Sequence, residues 1–151
     1  MSDSAPRKAA RRAPEVVVAL VFLAAGGLKI WDPGAFALAV ARLQVVPRGW
    51  IGPTAILMPW IEVTAAAALL TSSAWRPAGR TIVAGLLAAF TAVLAVAFLR
   101  GNAGSCGCFG ADGGFWSRLD VGLVRNLLLG GLLALSFRRS GPASTASATP
   151  R

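Results

Sequence analysis

Four long apolar runs, separated by short polar segments, dominate the chain. They extend over residues 16–31, 51–70, 81–99 and 121–137. The third run, TIVAGLLAAFTAVLAVAFL, contains no charged residue. About 20 apolar residues in an α-helix cross the hydrocarbon core of a bilayer, and lipid leaves no water for unpaired backbone groups. The pattern therefore predicts four transmembrane helices, which we number spans 1–4.

The runs organise the chain into one membrane domain with two tails. We predict an all-α, integral membrane four-helix bundle over residues 15–138, a basic tail over 1–14 and a disordered tail over 139–151. The segment AFALAVARLQVVP between spans 1 and 2 predicts a short amphipathic helix on the membrane surface. The basic residues before span 1 also resemble a signal peptide, but GGLKIWDP at its end does not favour cleavage.

The distribution of basic residues predicts the orientation of the bundle. The residues before span 1, those after span 4 and the segment between spans 2 and 3 together carry nine basic residues, whereas the other two connecting segments carry four. Positive residues concentrate on the cytoplasmic side of membrane proteins. We therefore expect a multi-pass protein of the plasma membrane with both termini in the cytoplasm and the segment between spans 3 and 4 outside.

Composition excludes several function classes. Hydrophobic residues make up 56% of the chain and charged residues 14%, against roughly 25% charged in soluble domains. His and Tyr are absent, which removes the commonest general base and the commonest metal ligand. A soluble enzyme is therefore disfavoured. Nucleic-acid binding is disfavoured because the basic residues are divided between the two membrane sides, so we expect membrane lipid as the surrounding partner.

The segment RGNAGSCGCFGADGG between spans 3 and 4 contains the two cysteines of the chain, Cys106 and Cys108. Gly107 permits the tight turn that a disulfide between them requires, and Phe109 and Gly110 complete the loop that supports the pair. A small, strained and exposed disulfide is readily exchanged. Thiol–disulfide exchange is the favoured interpretation. Structural cysteines and a metal site remain alternatives, although two thiolates supply only half of a tetrahedral zinc site, and we assign no metal.

Polar residues inside the spans form a second candidate site. A charge in a bilayer should face the bundle interior or extend to an interface. Lys29, near the end of span 1, can extend to the interface. Glu62 lies mid-span, and we expect it to pair with Arg125 or Lys29 or to be protonated. We predict that Glu62 and Arg125 face each other, in either a structural ion pair or, with Asn126, a polar site beneath the cysteines. Such a site would stabilise a thiolate or bind a quinone or another electron acceptor.

The chain resembles the MauE branch of the MauE/DoxX group of redox-associated membrane proteins over residues 16–137. The resemblance is carried by GGLKIWDP, VVP, LMPWIEVTAAAALL, RGNAGSCGCFG and VRNLLL, in that order. Membership implies a four-helix membrane protein linked to disulfide chemistry. It further implies methylamine utilisation, through maturation of the disulfide-rich small subunit of methylamine dehydrogenase beside a thioredoxin-like partner.

The sequence and the resemblance together lead to one functional hypothesis. Cys106 and Cys108 would exchange disulfides on the extracytoplasmic side, as in a thiol–disulfide oxidoreductase, and would support maturation of an exported, disulfide-containing client. The alternative is a non-redox membrane assembly factor or small-molecule transporter, in which the intramembrane polar residues matter and the cysteines do not.

Overall fold

A computed structural model describes residues 4–71, 73–101 and 118–139, with side chains placed over 12–71, 73–101 and 118–137. These residues form five α-helices. They are α1 (Ser4–Trp31), α2 (Pro33–Leu43), α3 (Arg48–Leu70), α4 (Arg76–Leu99) and α5 (Leu119–Arg139).

Four of the five helices are long and apolar enough to cross a membrane, which confirms the four predicted spans. The apolar segments are Arg12–Trp31 in α1, Arg48–Leu70 in α3, Arg76–Leu99 in α4 and Leu119–Phe137 in α5. The first three segments begin at an arginine that lies three to five residues before the apolar run predicted from the sequence. A charged residue at a helix end can keep its head group at the interface while the backbone stays helical, so the helices extend beyond the runs that predicted them.

The predicted amphipathic helix between the first two spans is α2. Asp32 caps its N-terminus by accepting a hydrogen bond from the Ala35 N–H at 2.8 Å, and Pro33 occupies the first turn, where its missing N–H costs nothing. Gln44 ends the helix in the left-handed conformation, with φ of 52°. The apolar face of α2, including Phe36 and Val40, packs against Ala55 of α3, so that face covers the bundle instead of facing lipid.

The four long helices form a closed ring in which α1 packs on α3, α3 on α4, α4 on α5 and α5 on α1. Each of the four crosses the bundle in the direction opposite to the one before it. The largest apolar cluster between them draws on every helix of the ring. Its buried residues are Val18, Ala19, Phe22, Ala65, Ala66, Leu69, Val83, Leu86, Leu87, Leu129 and Leu133.

The two ends of the bundle differ in composition. We call the end that carries α2 the loop end; there Leu43, Leu94, Ala97 and Leu119 form a separate apolar cluster. We call the opposite end, where α3 finishes and α4 begins, the tail end. The segment 102–117 joins α4 to α5 at the loop end. It contains the predicted cysteine site and lies outside the described residues, as does the predicted disordered tail from residue 140 onward.

Candidate functional site

A buried ion pair lies inside the bundle, between α1 and α3. The Lys29 ammonium donates a hydrogen bond to Glu62 Oε1 at 2.5 Å, and the two side chains are 3% and 1% exposed. The same ammonium lies 5.1 Å from the ring centroids of Phe36 and of Phe90. A cation over an aromatic face is attracted by the ring quadrupole. Lys29 is therefore held by one carboxylate and two aromatic rings.

Close packing of α1 on α3 brings the two charges together. Gly26 lies one helical turn before Lys29, and a Cβ at this position would be 2.8 Å from Val63 Cγ2 and 3.2 Å from the Pro59 carbonyl oxygen. Small residues allow membrane helices to approach in this way. The contact at Gly26 thus sets the separation at which the Lys29 side chain reaches Glu62.

A small cavity extends the ion pair toward α5. It has a volume of about 20 Å³, and its lining includes Lys29, Glu62, Arg125 and Asn126. Asn126 is 6% exposed, and its Nδ2 is buried with no hydrogen-bond partner among the residues that the structure describes. A cavity needs roughly 10–15 Å³ of such volume to hold one water molecule. The cavity is therefore large enough for a single water beside the ion pair and the amide.

The structure shows where the intramembrane charges lie. Lys29 is buried, so the alternative in which its side chain extends to the interface is wrong. Of the two partners predicted for Glu62, Lys29 makes the hydrogen bond, and Arg125 lines the same cavity. All four predicted intramembrane polar residues, Lys29, Glu62, Arg125 and Asn126, meet at this cavity.

The ends of the segment that carries the cysteines are fixed to the bundle. At the end of α4, Arg100 Nη1 donates a hydrogen bond to the Gln44 carbonyl oxygen at 2.9 Å, which ties α4 to the end of α2. At the start of α5, Leu119 packs in the apolar cluster of the loop end. Cys106, Gly107, Cys108, Phe109 and Gly110 lie outside the described residues, so the predicted pair stays a prediction.

Sequence reasoning missed a second ion pair, at the tail end. Arg80 of α4 donates a hydrogen bond to Glu15 of α1, and the side chains are 15% and 4% exposed. The Arg80 guanidinium also lies 5.9 Å from the Phe137 ring centroid. In the sequence, Arg80 falls in the segment between spans 2 and 3, and Glu15 is the first residue of the predicted membrane domain. The sequence signal for this pair was one acidic residue, Glu15, and one basic residue, Arg80, each directly before an apolar run.

Comparison with known proteins agrees with this architecture. The sequence matches the family described as methylamine utilisation protein MauE over residues 8–139, which is most of the chain. The chain belongs to the MauE family. It is a multi-pass membrane protein, in keeping with its four apolar helices. The MauE match begins at Lys8, inside α1, and ends at Arg139, the last residue of α5, so it includes all four apolar segments, α2 and the segment with the cysteines.

One curated MauE protein is also similar. The methylamine utilization protein MauE of Methylophilus methylotrophus is 36% identical over 92 residues, which is 60% of this chain and 48% of the relative. The aligned segment thus spans about half the length of that relative. No solved structure shows a significant match.

Proposed function

We propose that this protein carries out thiol–disulfide exchange through Cys106 and Cys108 and so supports the maturation of an exported protein. The observation that carries the proposal is the sequence Cys106-Gly107-Cys108 in the segment joining α4 to α5. Its flanking residues are held by the Arg100–Gln44 hydrogen bond and by Leu119. A short segment fastened at both ends is suited to presenting two thiols to a protein partner.

The chemistry is a reversible exchange of two electrons and two protons. A thiolate of a client dithiol attacks one sulfur of the Cys106–Cys108 disulfide, so the S–S bond breaks and a mixed disulfide forms. The second client thiolate then displaces the cysteine from the mixed disulfide. The client leaves as a disulfide, and Cys106 and Cys108 become a dithiol. A thioredoxin-like partner would exchange with the pair by the same two steps.

The names of the family and of the relative support a role in methylamine utilisation. We propose that the client is a disulfide-containing subunit of a methylamine-oxidising enzyme, exported across the plasma membrane. The nine basic residues before the first apolar run, after the last one and at the start of α4 favour a cytoplasmic location for those parts. The cysteines would then lie on the same side as the exported client.

The thiol state of the pair tests the proposal. In membrane vesicles, differential alkylation should find Cys106 and Cys108 cycling between dithiol and disulfide, with unchanged helix content. Cys108→Ser should trap a mixed disulfide with a client or thioredoxin-like protein, or abolish complementation of a Methylophilus methylotrophus strain that lacks its MauE protein. Ser105→Ala, in the same segment, is the matched control and should complement fully.

The result that would overturn the redox function is equally specific. The cysteines have no redox role if both thiols remain reduced under oxidising conditions and if Cys106→Ser and Cys108→Ser each complement the strain that lacks MauE. A loss of complementation in Glu62→Gln, with the cysteine variants active and the Glu62 variant folded, would instead support the non-redox assembly factor or transporter. The buried Lys29–Glu62 pair is the observation that favours that second candidate.

A further inference from the structure

A long groove runs between α4 and α5 on the outside of the bundle. Its volume is about 740 Å³, and it opens outward, because Ala88, Leu127 and Gly131 line it and are exposed. Its lining on α4 extends from Ala84 to Ala95, a distance of about 16 Å along a helix. The groove is therefore a membrane-facing surface about three helical turns long, which is about half the thickness of the hydrocarbon core.

Small residues line both walls of this α4–α5 groove at intervals of three or four residues. They are Ala84, Ala88, Ala92 and Ala95 on α4 and Gly130, Gly131 and Ala134 on α5. A Cβ on either glycine would meet nothing within 4 Å among the described residues, although glycine is a poor helix former. Rows of small residues allow a second membrane helix to approach closely. The two glycines are therefore suited to contact with a helix from outside the bundle.

The groove also contains a buried polar group. Asn126 lines it and is 6% exposed, and within the part of the chain that the structure describes its Nδ2 has no hydrogen-bond partner. An amide has two N–H donors, and the small cavity beside the Lys29–Glu62 pair has room for a single water. The second N–H of Asn126 therefore needs an acceptor, and the groove is where a partner molecule can supply one.

The depth of Asn126 indicates what kind of molecule supplies that acceptor. Asn126 lies two residues from the middle of the apolar segment Leu119–Phe137, about 3 Å along the helix axis. The polar groups of a lipid lie at the edges of the hydrocarbon core, roughly 15 Å from its middle. A lipid therefore offers no acceptor at this depth, whereas a polar side chain on a second transmembrane helix does.

The outer face of α5 has the shape that fills such a groove. Val124, Leu127 and Leu128 are large and exposed, and they form a ridge beside the small residues of the groove. In a two-fold dimer the same surface of both copies meets, so the ridge of each α5 lies in the groove of the other copy. An axis along the membrane normal keeps every residue at its own depth. The two Asn126 amides, each both a donor and an acceptor, then lie at the same level.

We infer that two copies of this chain associate in the membrane through the α4–α5 groove. The α5 helix of each copy lies in the groove of the other, and the two Asn126 amides form hydrogen bonds across the two-fold axis. This interface goes beyond the proposed function and requires no residue of the segment 102–117.

Association of the full chain in lipid vesicles tests the interface. Energy transfer between copies that carry donor and acceptor fluorescent proteins at the N-terminus, measured as the vesicles are diluted with lipid, gives the dissociation constant. Gly131→Leu fills the groove and should weaken association at least about tenfold. Gly85→Leu is the matched control, because Gly85 of α4 is exposed, lies outside the groove and also has no described neighbour within 4 Å of its Cβ position. It should associate as the unaltered chain does.

Cross-linking and an amide variant test the two-fold arrangement. In a Cys106→Ser/Cys108→Ser background, oxidation of membranes should link Gly131→Cys copies into a disulfide-bonded dimer but should leave Gly85→Cys copies unlinked. Asn126→Leu should weaken association about threefold with unchanged helix content.

Three results would overturn the interface. Energy transfer absent at every dilution would show that lipid fills the groove. Equal dissociation constants for Gly131→Leu and Gly85→Leu, or for Asn126→Leu and the unaltered chain, would show that the copies meet elsewhere. A Gly131→Cys cross-link to a different membrane protein, with no linked dimer, would show that the groove binds a foreign helix.

Discussion

A charge in the interior of a membrane bundle needs a partner of opposite sign, and Lys29 and Glu62 meet that need in each other. Insertion scales give a cost of about 2.5–3.5 kcal/mol for a charged residue at the centre of a membrane helix. Removing one member of a buried pair leaves the other charge uncompensated. The two Phe rings beside Lys29 do not replace the carboxylate, since a cation–π contact contributes only about 0.5–2 kcal/mol.

We expect Glu62→Gln to lower the free energy of unfolding by about 3–5 kcal/mol, because the Lys29 ammonium stays buried without its counter-ion. Lys29→Met should have a similar effect, and Lys29→Met/Glu62→Gln should cost less than the two single changes added together. Unfolding by sodium dodecyl sulfate in mixed micelles, followed by circular dichroism, measures all three.

The exposed ion pair between Arg118 and Asp120, with side chains 61% and 51% exposed, supplies the control. Exposed pairs contribute roughly 0.2–1 kcal/mol, so Asp120→Asn should change stability little. Strict additivity of the Lys29 and Glu62 changes would show that the two residues do not interact.

At the scale of the helices, one glycine sets the closest approach of α1 to α3. Gly26 and Gly27 are adjacent in sequence but face different surroundings. A Cβ on Gly26 would contact Val63, Pro59 and Glu62, whereas a Cβ on Gly27 would meet nothing within 4 Å. The same chemical change at the two positions therefore separates helix packing from helix propensity.

Gly26→Ala should destabilise the bundle by about 1–3 kcal/mol, the usual cost of overpacking, and should disturb the Lys29–Glu62 hydrogen bond as α1 moves away from α3. Gly27→Ala should be neutral or stabilising by up to about 1 kcal/mol, because alanine is the better helix former. Thermal unfolding of both variants in the same detergent provides the comparison, and equal melting temperatures would show that the close contact at Gly26 is not required.

The sequence predicted the elements better than it predicted the contacts between them. Long apolar runs are set by the thickness of the bilayer, so the four spans were readable from composition alone. For Glu62 the sequence left two candidate partners, Arg125 and Lys29, because the choice depends on which face of α1 turns toward α3, and the close contact at Gly26 sets that face. The Glu15–Arg80 pair was missed for a related reason: helices continue beyond the apolar runs, so residues assigned to connecting segments lie on helices and meet.

At the scale of the whole molecule, the antiparallel ring places two kinds of chemistry at opposite ends. The loop end carries α2 and both attachment points of the cysteine segment. The tail end carries the Glu15–Arg80 pair and, with the tails, most of the basic residues. An even number of spans puts the two termini on the same side, so the orientation of the entire bundle follows from the side of any one segment.

We expect reporter fusions after Arg76 and after Gly110 to report opposite sides of the membrane. The fusion after Arg76 should be cytoplasmic and the fusion after Gly110 extracytoplasmic, because positive residues are retained on the cytoplasmic side. Alkaline phosphatase and green fluorescent protein fusions distinguish the two. Labelling of Cys106 by a membrane-impermeant thiol reagent from the cytoplasmic side would contradict this orientation and the role in maturing an exported client.

The separation of Lys29 and Glu62 along the chain has a consequence for biogenesis. The two residues are 33 positions apart, and at about 5–20 residues per second of synthesis the ribosome adds Glu62 roughly 2–7 seconds after Lys29. During that interval α1 carries an uncompensated cation and is a poor candidate for release into lipid. Its stable insertion has to wait for α3, so the nascent hairpin of α1, α2 and α3 enters the bilayer as one unit.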